Sequence, residues 1–114
     1  MIRLAKSFYN AFRGIYTALG EHTFRILILV SVVMISLSFF FPLSLIEKAL
    51  VFFIIGVVLA LELINSQIER MLDMLRPDYS EEVRRIKDIS AGAVLVVSIA
   101  SAVAGAIIFI HYII

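Results

Sequence analysis

Residues 49–73 read ALVFFIIGVVLALELINSQIERMLD, and the fold turns on how that stretch changes along its length. From Ala49 to Leu61 it is apolar apart from Gly56. Glu62, Asn65, Glu69 and Asp73 then enter while the helical apolar pattern continues through Leu63, Ile64, Ile68, Met71 and Leu72. Spacings of three, four and four put the four polar groups on one face of a helix. The stretch therefore reads as part of one long helix, from about Ser44 to Arg76 and broken by Pro77. It is apolar enough to cross a bilayer and carries a polar stripe toward its second end.

Outward from that helix, two more segments are long and apolar enough to span. Phe24 to Phe41 is apolar apart from small hydroxyls, with Arg25 placed to snorkel at its start and Pro42 at its end. The third helix is expected over 81–113, with its membrane part from about Ile89. Asp78 or Ser80 can cap it, and Glu81 and Glu82 suit its first turn. It is rich in small residues, and the four-residue spacings Ser98/Ala102 and Ser101/Gly105 allow close helix approach in lipid. Residues 1–20 read as an amphipathic surface helix. Arg3, Lys6, Ser7, Asn10, Arg13 and Thr17 form one stripe beside Ile2, Leu4, Phe8, Phe12, Ile15, Tyr16 and Leu19, and Gly20 ends it. The expected architecture is a single all-α membrane domain over 1–114: a surface helix (1–20) and three transmembrane helices (24–41, 44–76 and 81–113).

Composition supports lipid as the main solvent. Of 114 residues, 62% are hydrophobic and 17% charged, against about 45–50% and about 25% in soluble domains. So short a chain cannot bury that much apolar surface within itself. A net charge of +1 gives no reason to expect nucleic acid, and the absence of cysteine excludes disulfides and thiolate metal sites. The first residues do not have the pattern of a cleavable leader.

Lysine and arginine counts orient the chain. Arg3, Lys6 and Arg13 precede the first span, and Arg76, Arg84, Arg85 and Lys87 lie between the second and third. The turn from Pro42 to Lys48 has one lysine, and the carboxyl end has none. The amino terminus and the 76–88 loop are thus expected in the cytoplasm, with the carboxyl terminus on the far side. The carboxylate stripe then faces the cytoplasmic leaflet.

Ionisable residues inside a spanning helix are unfavourable by about 2.5–3.5 kcal/mol on insertion scales, and their default reading is functional. Glu62 and Glu69, two turns apart with Asn65 between them, can hold a divalent cation and leave a carboxylate free as a base. The plainer alternative is helix pairing, with a glutamate bonded to an arginine of a neighbouring helix. Lys87-Asp88 could hold phosphate oxygens or serve as an interface anchor, and Glu21 lies at the same membrane edge. His22 and His111 fall at opposite faces and cannot share a site. No Walker-type phosphate loop or protein-kinase signature is present.

The run LELINSQIE (61–69), followed by Asp73 and then Lys87-Asp88, resembles the bacterial integral-membrane diacylglycerol kinase family, which includes the undecaprenol kinases. The resemblance covers nearly the whole chain. It implies transfer of phosphate from ATP, with Mg²⁺, to the hydroxyl of a membrane lipid alcohol, either diacylglycerol or undecaprenol. It further implies that Glu62 is the general base and that Glu21 and Glu69 ligate the metal. Asn65, Asp73, Lys87 and Asp88 would serve the nucleotide. It also implies a homotrimer in the bacterial inner membrane, and three thin helices are in any case too few to enclose both substrates. Some members carry a second polar residue about two turns after the position of Glu21, where this chain has apolar Leu27. Lys6-Ser7-Phe8 and Arg13-Gly14-Ile15 look closer to the undecaprenol kinase branch.

Two other classes compete. A small proton-coupled transporter could use Glu62 as its proton site, but it would show an even number of spans or an inverted repeat and would leave Lys87-Asp88 without a role. A purely structural membrane subunit would not need Glu62 and Glu69 on one face.

Overall fold

The computed structural model describes residues 2–114 and contains four helices: α1 (Ile2–Ala18), α2 (His22–Phe40), α3 (Leu45–Leu75) and α4 (Glu81–Ile113). The last three are long and apolar enough to cross a membrane. Their ends lie within one or two residues of those expected; Met1 lies outside the described residues.

Local chemistry sets each end. α1 closes with turns in which the Leu19 and Gly20 amides donate to Tyr16 and Thr17. A β-carbon on Gly20 would stand 3.3 Å from the Thr17 carbonyl oxygen, so this turn favours glycine. Pro42 follows the last bond of α2, from the Phe41 amide to Leu37. α3 begins with a reciprocal cap: the Glu47 amide donates to Ser44 Oγ at 3.2 Å and the Ser44 amide donates to Glu47 Oε1 at 2.8 Å. Pro77 ends α3 after the Arg76 amide has bonded to Leu72. Of the two expected caps for α4, Ser80 takes the role, its Oγ accepting from the Val83 amide at 3.1 Å.

Several hydroxyls inside the spans bond within their own helices. Ser31, Ser36 and Ser101 each donate to the carbonyl four residues back, at 2.7, 2.8 and 2.6 Å. A serine so bonded presents little polarity to lipid.

α3 is central, with α2 and α4 packed on it. The tightest packing is at the end of the bundle away from the polar stripe. There Leu43, Val51, Ile108 and Phe109 are buried against Met34, Phe41, Ile55 and Tyr112. The Phe41 and Phe109 rings meet edge to face at 5.9 Å, and the Tyr112 hydroxyl donates to Glu47, tying the end of α4 to the start of α3.

The small residues of α4 border open space within the single chain. Ser98, Ser101, Ala102 and Gly105 line an apolar cavity of 330 Å³ between the three long helices. A β-carbon on Gly105 would meet only the Met34 methyl, at 4.0 Å. α1 barely touches the rest, being exposed from Ile2 to Thr17 and buried only at Ala18. The chain exposes 8567 Å², whereas a compact soluble chain of 12.8 kDa exposes about 6,300 Å². Much of the excess is leucine, isoleucine, valine and phenylalanine, a surface suited to lipid and not to water.

Candidate active site

The polar face of α3 runs from Glu62 to Asp73, a rise of about 16 Å, and its exposure grades along that length. Glu62 and Asn65 are buried, at 7% and 8% exposure. Glu69 is half-buried, and Asp73 is exposed. The deep end is thus a withdrawn carboxylate and the shallow end a solvated one.

The start of α2 comes up beside this face. Glu21, His22 and Thr23 join Glu62, Ser66, Glu69, Arg70, Asp73 and Met74 around a concavity of 460 Å³. Glu21 stands at the N-cap position of α2, yet its side chain makes no capping bond. Its Oε1 instead accepts from Arg70 Nη2 at 3.1 Å. Glu21, Glu62 and Glu69 thus share one concavity wall. Glu62 makes no ion pair among the described residues.

Asn65 links the face to α4. Its Nδ2 donates to Glu69 Oε1 at 3.4 Å, and its Oδ1 accepts from Ser90 Oγ at 2.7 Å. It also lies beside Glu62.

Lys87 and Asp88 lie in an adjoining concavity of 340 Å³, formed by the 76–80 loop and the first turns of α4 and sharing Asp73 with the first. They do not pair with one another, because successive helical residues point about 100° apart. Lys87 Nζ reaches back to Asp73 Oδ1 at 2.5 Å. Asp88 Oδ2 accepts from Arg84 Nη1 at 2.7 Å, and the same guanidinium is held at Glu81. Tyr79 donates to Glu81 Oε1 at 2.7 Å, and that bond raises the phenol above its ordinary pKa.

All the site residues expected from sequence except Asn65 therefore line two joined concavities. Glu21, Glu62, Glu69 and Asp73 line the first, Asn65 lies buried beside it, and Lys87 and Asp88 line the second. Two contacts were not foreseen. Arg70, next to Glu69 in sequence, is held at Glu21. Ser90 looked like one more small packing residue but donates to Asn65. The available signal for Ser90 was its position three after Lys87, which puts it on the same face of α4.

Among the described residues no three histidine, aspartate or glutamate side chains are grouped to hold a cation on their own. The donor set still suits Mg²⁺, which is commonly held by one or two carboxylates with phosphate oxygens and water completing the shell. Glu21 and Glu69 are two such hard donors on one cavity wall. Chemically, the arrangement offers a withdrawn carboxylate to accept a proton, two more for a cation, and a lysine one cavity away for an anion.

The chain is similar to known proteins across the same span. A family model described as prokaryotic diacylglycerol kinase matches residues 9–109. An undecaprenol kinase of Bacillus subtilis (strain 168) is 35% identical over 109 residues, covering 95% of this chain and 89% of that protein. Both similarities take in every site residue from Glu21 to Asp88, and neither supports a transporter.

Proposed function

The chain belongs to the prokaryotic diacylglycerol kinase family and is a membrane lipid kinase, and from that premise we propose that it transfers the γ-phosphate of ATP to undecaprenol in a Mg²⁺-dependent reaction. The observation that carries the reading is the buried Glu62 carboxylate at the floor of a cavity shared with Glu21 and Glu69. The choice of acceptor rests on the likeness to the undecaprenol kinase, and diacylglycerol is the alternative.

The depth of Glu62 suits this chemistry. It lies 17 residues along α3 from Leu45, about 26 Å, in a bilayer whose hydrocarbon is about 30 Å thick. A base at that level meets the hydroxyl of a lipid alcohol whose chain stays in the membrane. Glu62 takes the hydroxyl proton as the oxygen attacks the γ-phosphorus. The new phosphorus–oxygen bond forms as the bond to the β-phosphate oxygen breaks, leaving the lipid phosphate and ADP. Mg²⁺ bound with the nucleotide would neutralise charge on its phosphate oxygens, and Glu21 and Glu69 are the residues to hold it. Lys87 offsets charge on the phosphates once its ammonium is shared between Asp73 and the nucleotide. Asn65, Asp73 and Asp88 complete the nucleotide side.

The remaining assignments follow the same reading. The chain is one domain of the bacterial inner membrane, with the amino terminus and 76–88 loop in the cytoplasm and the carboxyl terminus outside. α1 lies in the headgroup layer, where its exposed Phe8, Phe12 and Ile15 meet acyl chains and Arg3, Lys6 and Arg13 meet phosphates. The chain works as a homotrimer, as the family resemblance implies, with part of the exposed apolar surface covered by other copies.

The test is transfer of labelled γ-phosphate from Mg²⁺-ATP by purified protein in lipid, with undecaprenol and diacylglycerol offered separately. Faster labelling of undecaprenol is expected. Preference for diacylglycerol would reassign the acceptor, and labelling of neither would reject the ATP-dependent reaction.

A further inference from the structure

We propose that Ser90 of α4 is a positioning residue for the transfer site, acting through Asn65. The inference rests on the reading of Glu62, Asn65 and Glu69 as that site, and it adds a residue from a different helix.

The serines of this chain have a habit from which Ser90 departs. Ser7, Ser31, Ser36, Ser38, Ser66 and Ser101 each donate to a carbonyl three or four residues back in their own helix. That is the ordinary resting place of a helical hydroxyl. Ser90 instead donates across the α3–α4 contact, 25 positions away in sequence, to Asn65 Oδ1 at 2.7 Å.

The consequence lies in the direction of the Asn65 amide. Asn65 is 8% exposed, so water has little access to it. A carboxylate only accepts hydrogen bonds, so the Nδ2 end must face Glu69 and the Oδ1 end must face away. With Oδ1 turned away and buried, it needs a donor, and Ser90 supplies one. No buried side-chain oxygen or nitrogen is left without a partner among the described residues. Without the Ser90 hydroxyl, Oδ1 loses that donor and the amide is free to swing. The donor presented to the carboxylates is then misplaced, and reacting groups tolerate little displacement. A packing role alone would be filled equally well by alanine, which is smaller and as suited to a helix.

The test compares steady-state kinetics of Ser90→Ala, Ser90→Thr and Ser90→Val in lipid, with Asn65→Ala, the Ser90→Ala/Asn65→Ala double variant and Glu62→Gln alongside. Ser90→Ala should lower kcat by about 2- to 10-fold, the range for one hydrogen bond, with KM for ATP and lipid within about two-fold. Threonine, which keeps the hydroxyl, should restore kcat, whereas the isosteric valine should not. The double variant should be no slower than Asn65→Ala alone. If Asn65→Ala is too slow to time, the threonine–valine contrast decides. Unchanged kcat in Ser90→Ala, equal rates for threonine and valine, or the full Ser90→Ala factor recurring in the Asn65→Ala background would each overturn the proposal. Ser90→Ala at the wild-type rate beside an inactive Glu62→Gln would sink this inference alone. An active Glu62→Gln would instead remove the site reading beneath it.

Discussion

Arg70→Gln should lower the Mg²⁺ concentration needed for turnover. Arg70 holds the carboxylate that is proposed to ligate the cation, with Nη2 at 3.1 Å from Glu21 Oε1. A cation at Glu21 must therefore displace or share that guanidinium. The pair is partly open to solvent, with side-chain exposures of 58% for Arg70 and 23% for Glu21. Such pairs contribute about 0.2–1 kcal/mol, so their loss frees Glu21 by a factor of about 1.4 to 5. Removing a positive charge near the cation acts in the same direction. Glutamine is a good helix former, so α3 should persist through the exchange. The assay is initial rate against free Mg²⁺ at saturating ATP, with half-saturation as the readout. A fall of about 1.4- to five-fold is expected. A rise would mean that Arg70 orients Glu21 for the metal instead of competing with it, and the competition argument would be wrong.

Three further outcomes follow from the geometry. Glu69→Ala, and to a smaller extent Glu21→Ala, should raise the Mg²⁺ requirement in the same titration, because each removes a hard oxygen donor; unchanged curves in both would place the cation elsewhere. Tyr112→Phe removes the bond from α4 to Glu47 at the far end of the bundle, so it should lower the unfolding midpoint in detergent titration while specific activity stays at the wild-type level. If sites are shared between subunits, co-assembling inactive Glu62→Gln with inactive Lys87→Ala chains should restore activity; mixtures as inactive as either parent would show that both residues act within one chain.

The architecture was legible because it depends on few, strong signals. Apolar length marks a spanning helix, Pro42 and Pro77 mark two of the ends, and Ser80 marks a start. The polar face of the candidate site was legible in the spacing Glu62, Asn65, Glu69, Asp73, since period alone puts those residues on one side of α3. Contacts between helices were not legible, because period says nothing about which face meets which neighbour. Lys87 and Asp88 look like a pair in sequence, yet helical rotation sends one to Asp73 and the other to Arg84. Nothing in the sequence pairs Tyr112 with Glu47, a bond that spans 65 positions. The small residues of α4 allow close approach, but period does not say to which helix, and in the single chain four of them border a cavity.

The central claim is that Glu62 is the base of a lipid kinase, and kcat for Glu62→Gln against wild type tests it most directly. Glutamine keeps the size and buried position of the side chain and removes its capacity to take a proton. The account predicts a fall of about 10²–10⁴-fold in a variant that elutes in the wild-type oligomeric state with an unchanged helical circular dichroism spectrum. A Glu62→Gln enzyme turning over within a few-fold of wild type would contradict it.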